Sequence, residues 1–343
     1  MTKKPKILIV YTGGTIGMIK DYKTNALKAF DFNQITKNIS ELYQLNCAIE
    51  SISFDEPIDS SNMTIASYQK IVTIIETHYK NYDGFVILSG SDTMSYVSSA
   101  ISFMLEHLQK PVIFTGSQLP IGDLRTDAKE NLITSIEIAC AQKGGRPIVS
   151  EVCLYFEYKL YRANRTTKIN AEQFEAFTSM NYPPLAESGV HLNFNEYYLH
   201  KPELDAELVV RKKMNNNIAI LKLFPGITPN VVESVLATKD LKGVILETYG
   251  SGNALNQKWF LELLKKAIHK KIKIINVTQC VAGAVSQGHY ETSIVLKELG
   301  VISGRDITTE SAIAKLMYLL SENLSNEEFT GYFEKPLRGE LTL

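Results

Sequence analysis

No stretch of this chain approaches the roughly 18 consecutive apolar residues that a membrane helix needs. The opening residues, Met1 to Lys6, are too short and polar for a secretory leader and run straight into Ile7-Leu8-Ile9-Val10, which reads as a first strand. A charge surplus is also missing. Lys and Arg number 36 against 37 Asp and Glu, a net charge of −1, so nothing points to nucleic acid or to an anionic membrane. The six histidines show no HExxH or related spacing, and no metal is expected. The four cysteines (Cys47, Cys140, Cys153, Cys280) are scattered without a CxxC pair and read as reduced thiols of a cytoplasmic protein.

What is present is enough apolar material for two cores. The chain has 343 residues, 45% of them apolar, and that length favours two domains over one. Strand-like runs at 6–11, 48–54, 85–88, 112–114 and 152–156 alternate with helical periodicity at 64–80, 94–108 and 126–142. Thr64 is the expected N-cap of the first helix. Residues 178–216 break this rhythm with Tyr182-Pro183-Pro184 and Asn215-Asn216-Asn217. Strands at 218–224, 244–248 and 272–277 and a helix at 309–323 then restore it. The expected fold is α/β: two α/β domains with mainly parallel sheets, the larger one N-terminal. The expected bounds are 1–190 for the N-terminal domain, 191–215 for a linker and 216–343 for the C-terminal domain.

Three segments carry chemistry. Tyr11-Thr12-Gly13-Gly14-Thr15-Ile16-Gly17 ends the first strand, where open α/β sheets bind ligands. Its glycines let backbone N–H groups approach an anion. Glycines at 13, 14 and 17 do not make the GxGxxG of a dinucleotide loop, and no GKS or GKT follows. Gly90-Ser91-Asp92-Thr93 sets two hydroxyls around a carboxylate after another strand; the bland alternative is that Asp92 or Ser91 merely caps the helix from Met94. Asn164-Arg165-Thr166-Thr167-Lys168 holds a lysine in a polar loop, ordinarily a solvated charge. Together, however, Thr15, Lys168 and the glycine loop supply the nucleophile, the proton acceptor and the oxyanion site that a hydroxyl-based hydrolase requires. Asp92 favours the charged form of Lys168, so proton relay through the Ser91 hydroxyl is the more economical arrangement.

These segments closely resemble the L-asparaginase family, in its bacterial type I branch. The similarity extends over 11–18, 84–105, 115–132, 151–189, 247–254, 276–288 and the final helix at 310–320. The resemblance implies that Thr15 is the nucleophile, that Ser91 and Lys168 complete the catalytic group, and that Asp92 holds the substrate α-ammonium. Ser60, within Asp59-Ser60-Ser61-Asn62-Met63, takes the substrate α-carboxylate, so that Gly14, Asp59, Ser60, Ser61, Gly90, Ser91 and Asp92 line the substrate. It further implies a homodimer or homotetramer that needs no cofactor. A regulatory asparagine site is implied at Thr167, Asn253 and Cys280; the bland reading of Cys280 is a small buried hydrophobe.

The chain departs from the family pattern in carrying Ser91 where threonine is usual and Ser89 where histidine is usual. Ala26 stands where a mobile-loop tyrosine is expected, with Tyr22 the candidate to replace it. The expected reaction is hydrolysis of the asparagine side-chain amide to aspartate and ammonia. Two alternatives are an asparagine-binding sensor that turns over poorly and an amidotransferase subunit that supplies ammonia. The second ranks low because that branch usually carries an extra N-terminal domain before the first strand.

Overall fold

The computed structural model describes residues 4–20, 27–29, 39–288 and 291–343. The chain divides into two compact units, Met1–Lys212 and Lys213–Leu343.

The first unit is built on an eight-stranded sheet. In chain order its strands are β1 (Lys6–Tyr11), β2 (Ala48–Ser53), β3 (Gly84–Leu88), β4 (Val112–Thr115), β5 (Val152–Phe156), β6 (Lys159–Arg162), β7 (Ala186–Ser188) and β8 (Leu192–Phe194). Their spatial order is β8-β7-β6-β5-β4-β3-β1-β2. The five strands from β2 to β5 pair in parallel, and β6, β7 and β8 continue the sheet antiparallel. Ile7 to Val10 and Phe85 to Leu88 are fully buried, as expected of parallel strands covered on both faces. The edge strand β2 instead alternates between exposed and half-buried positions.

Three helices connect these strands: α1 (Ile65–His78), α2 (Met94–Met104) and α3 (Ala128–Cys140). Thr64 caps α1 as expected, through a capping box with Ser67. The helix expected over 94–108 stops at Met104 because Leu105 and Glu106 leave it to pair with Val210 and Val209. The irregular stretch after 178 holds β7 and β8, whose three-residue length is too short to register as periodicity.

The second unit is a four-stranded parallel sheet of β9 (Ile218–Lys222), β10 (Gly243–Thr248), β11 (Lys273–Thr278) and β12 (Ile302–Ser303), in that spatial order. Its helices are α4 (Pro229–Leu236), α5 (Lys258–His269), α6 (Glu291–Leu299), α7 (Thr309–Leu319) and α8 (Asn326–Phe333). Proline at the first position of α4 follows the expected cap at Thr228. Leu221, Val232, Val244, Leu246, Phe260 and Leu264 share its core. The two-domain α/β architecture thus stands as the sequence indicated.

Candidate active site

The order of strands fixes where a ligand site belongs. From β1 the chain moves to β2 on one side and then to β3 on the other, so the carboxyl ends of β1 and β3 flank a topological switch point. Thr12 seals that junction, with its N–H and its Oγ1 both donating to the Leu88 carbonyl, at 2.9 and 3.0 Å. Gly14 follows with φ of +91°. A Cβ there would overlap the backbone nitrogen of Gly90. Only glycine permits this approach, which sets the loop carrying Thr15 against the loop carrying Ser91. Thr15 opens a 3-10 turn over Thr15–Gly17 and is half-buried. No hydrogen bond joins its hydroxyl to another of the described residues.

Gly90 in turn sits against Ser60. A Cβ at Gly90 would lie 2.5 Å from Ser60 Oγ. Ser60 is buried and begins the 3-10 turn Ser60–Asn62, while Asp59 caps that turn by accepting from Ser61 N at 2.9 Å and Ser61 Oγ at 2.8 Å. These bonds hold the Asp59 carboxyl below its usual range, the Ser61 backbone N–H being the larger cause. Thr93 Oγ1 donates to the Ser60 carbonyl at 2.7 Å, which ties the turn to the start of α2.

The capping alternative for Ser91 and Asp92 fails. The N-cap of α2 is Thr93, without a side-chain cap bond. Asp92 Oδ1 instead lies 2.7 Å from Lys168 Nζ, and Lys168 Nζ also donates to Ser91 Oγ at 2.8 Å. Nor is Lys168 an ordinary surface lysine, since its side chain is only 17% exposed. Its approach is a buried turn: Asn164, Arg165 and Thr166 are at most 2% exposed. Thr166 Oγ1 donates to Ser95 Oγ at 3.0 Å and Asn164 Nδ2 to Ser102 Oγ at 3.1 Å. The small serines of α2 admit the turn close to the helix, and Lys168 is then fixed by pairing with Phe177.

Gln118 completes the group and was not singled out from the sequence. Ser91 Oγ donates to Gln118 Oε1 at 3.2 Å, while Gln118 Nε2 donates to the carbonyls of Ala171 and Gln173. Its backbone N–H donates to Asp127, a carboxylate that also receives Leu119 N and Asn131 Nδ2. Burial raises the Asp127 pKa in spite of those donors. The available signal was Gly116-Ser117 directly after β4, the third glycine-bearing strand end of the sheet.

The structure therefore sets the Thr15 loop against the Ser91 loop, whose hydroxyl is held between an amine and an amide, with a carboxylate on the amine. The model of the N-terminal asparaginase domain matches residues 6–199, and that of the glutaminase/asparaginase C-terminal domain matches residues 217–333. This chain belongs to the asparaginase family. L-asparaginase 1 of Escherichia coli (strain K12) is 40% identical to it over 99% of each chain. The 60 kDa lysophospholipase of Mus musculus is 37% identical over 100% of this chain, which spans 64% of that protein. The crystal structure of L-asparaginase I from Vibrio cholerae O1 biovar eltor has a TM-score of 0.89 at 39% identity, covering 99% of this chain and 100% of that one.

Of the remaining asparaginase positions read from the sequence, Tyr22 and Ala26 lie outside the described residues. Thr167 pairs with Thr178 in the first unit. Asn253 and Cys280 stand in the second unit, beyond the carboxyl ends of β10 and β11, where Thr278 Oγ1 donates to the Gly250 carbonyl at 2.6 Å and joins the two loops. Cys280 is exposed, which overturns its reading as a buried small hydrophobe. Among the described residues no group of His, Cys, Asp and Glu has the makings of a metal site, and no helix is long and apolar enough to cross a membrane.

Proposed function

We propose that this asparaginase hydrolyses the side-chain amide of L-asparagine to aspartate and ammonia, using Thr15 as nucleophile. The observation that carries the reading is the Lys168–Ser91 and Lys168–Asp92 contact beside the Gly14–Gly90 junction. The full-length likeness to E. coli L-asparaginase 1 supports it.

Asparagine presents its α-carboxylate to Ser60 and the loop amides, with Gly14, Asp59, Ser61 and Gly90 shaping that end, and its α-ammonium to Asp92. Thr15 Oγ attacks the amide carbon, its proton passes to the leaving nitrogen, and ammonia departs from an acyl-enzyme. Ser91 and Lys168 then assist water in releasing aspartate. Backbone N–H groups at the glycine loop hold the oxyanion, each worth about 3–4 kcal/mol in comparable enzymes. Positioned proton transfer adds about 10²–10⁴-fold. The chain's own residues suffice for these steps, without a metal or cofactor.

The same reading takes the protein as a cytoplasmic homodimer or homotetramer with a regulatory asparagine site, for which Thr167, Asn253 and Cys280 are the candidate residues. Ammonia release measured against asparagine and glutamine tests the proposal. Turnover of asparagine supports it, and a sigmoidal response supports the regulatory site. Binding of asparagine without ammonia release overturns the enzymatic reading and leaves a sensor.

A further inference from the structure

Two cysteines far apart in sequence meet at the edge of the first unit's sheet opposite the candidate site. Cys47 immediately precedes β2. Ala48 N donates to the Pro5 carbonyl at 2.8 Å and Ala48 is in register with Lys6, so Cys47 stands at the amino ends of β1 and β2. Cys140 is the last residue of α3. The carbonyl of the preceding Ala139 lies 2.9 Å from where a Cβ on Gly84 would stand, and Gly84 opens β3 in register with Ile7. Helix α3 therefore ends over the same amino edge. Both cysteines are partly buried and pack against one cluster that includes Ile7, Ile138 and Ala139.

Their side chains interact at that edge. The neighbouring Cys140 thiol holds the Cys47 thiol below the usual range, opposed by burial and aided by Lys4. The same contact, with burial, pushes Cys140 up. This is the arrangement of an attacking thiol beside a resolving one. Cys153, fully buried and raised by that burial, has no comparable role.

We propose that Cys47 and Cys140 are a reversible oxidation site, at which a low-molecular-weight disulfide converts the thiol–thiol contact into an intramolecular disulfide. The Cys47 thiolate attacks one sulfur of oxidised glutathione, breaks its S–S bond and expels one glutathione thiolate. Cys140 then gives its proton to solvent, attacks the Cys47 sulfur and expels the second glutathione. Two protein thiols are oxidised and one small disulfide is reduced to two thiols. The cross-link closes the chain between 47 and 140 and stabilises by restricting the unfolded ensemble.

The full-length protein, folded and incubated with oxidised glutathione, is digested without reductant and its peptides are mapped by mass spectrometry. The expected result is a linked peptide pair containing Cys47 and Cys140 that has lost two hydrogens and is restored by dithiothreitol, with a higher unfolding temperature for the oxidised protein. Cys140→Ser is expected to stop at glutathione on Cys47, and Cys47→Ser to leave Cys140 unmodified. The proposal is overturned if both residues remain thiols in the wild type, or if glutathione on Cys47 is never displaced by Cys140. The wild-type map decides even where a variant fails to fold.

Discussion

Lys168 Nζ lies 2.7 Å from Asp92 Oδ1 across 76 positions of sequence, and the same nitrogen reaches Ser91 Oγ at 2.8 Å. One amine thus links the carboxylate read as the anchor of the substrate ammonium to the hydroxyl read as its proton relay. Lys168→Met keeps much of the side chain's volume and removes the charge. Ammonia release is expected to fall by about 10²–10⁴-fold, the usual weight of a positioned proton-transfer group. Near-wild-type kcat in a folded Lys168→Met would remove the lysine from the mechanism.

The Gly14–Gly90 contact makes a second prediction. In Gly14→Ala the new methyl meets the Gly90 backbone, at a φ of +91° that L side chains rarely adopt. Overpacking of this kind costs about 1–3 kcal/mol, and the two loops must separate. Both the unfolding temperature and kcat are expected to drop. A variant with unaltered kinetics would show that the spacing of these loops does not matter to the chemistry.

Gln118 offers a more selective probe. It accepts from Ser91 and bridges two carbonyls of the segment that follows Lys168. Two of the three bonds are solvent-exposed, and each hydrogen bond of this kind contributes only about 0.5–1.5 kcal/mol to stability. Gln118→Leu is therefore expected to unfold near the wild-type temperature while kcat falls by about tenfold or more, the signature of a positioning residue. Equal loss of stability and no loss of kcat would make Gln118 a purely structural brace.

The C-terminal tail supplies a stability test. Lys315 and Glu340 form a fully buried ion pair at 2.5 Å, and Lys315 also donates to the carbonyls of Phe333 and Lys335. Glu340 in turn receives Leu337 N and Arg338 N. Burial, the larger influence, lowers the Lys315 pKa against the pull of Glu340. Removing one partner strands the other, which typically costs about 3–5 kcal/mol. Glu340→Leu is expected to lower the denaturation midpoint of the second unit strongly, whereas Glu340→Leu with Lys315→Met recovers much of the loss. Equal stability of the single and double variants would contradict this.

The parts legible in the sequence were those with local signatures. The buried strands β1 and β3 announce themselves as unbroken apolar runs, and the glycines at 13, 14 and 90 mark where backbones approach. Thr15, Ser91, Asp92 and Lys168 were named from such segments and from family likeness. What escaped depends on long-range pairing. The turn before Lys168 reads as a polar loop, because its burial comes from Ser95 and Ser102 on a distant helix. Strands β7 and β8 are too short to show a period. Gln118 is one amide among many until Ser91 is placed against it.

The central claim is that the hydroxyl of Thr15 is the nucleophile, and ammonia release from asparagine by purified Thr15→Ala, beside the wild type, tests it most directly. Wild-type protein is expected to liberate ammonia and aspartate in equal amounts, and the variant to release essentially none while retaining the wild-type unfolding temperature. Ammonia release by the variant at the wild-type rate would contradict the account.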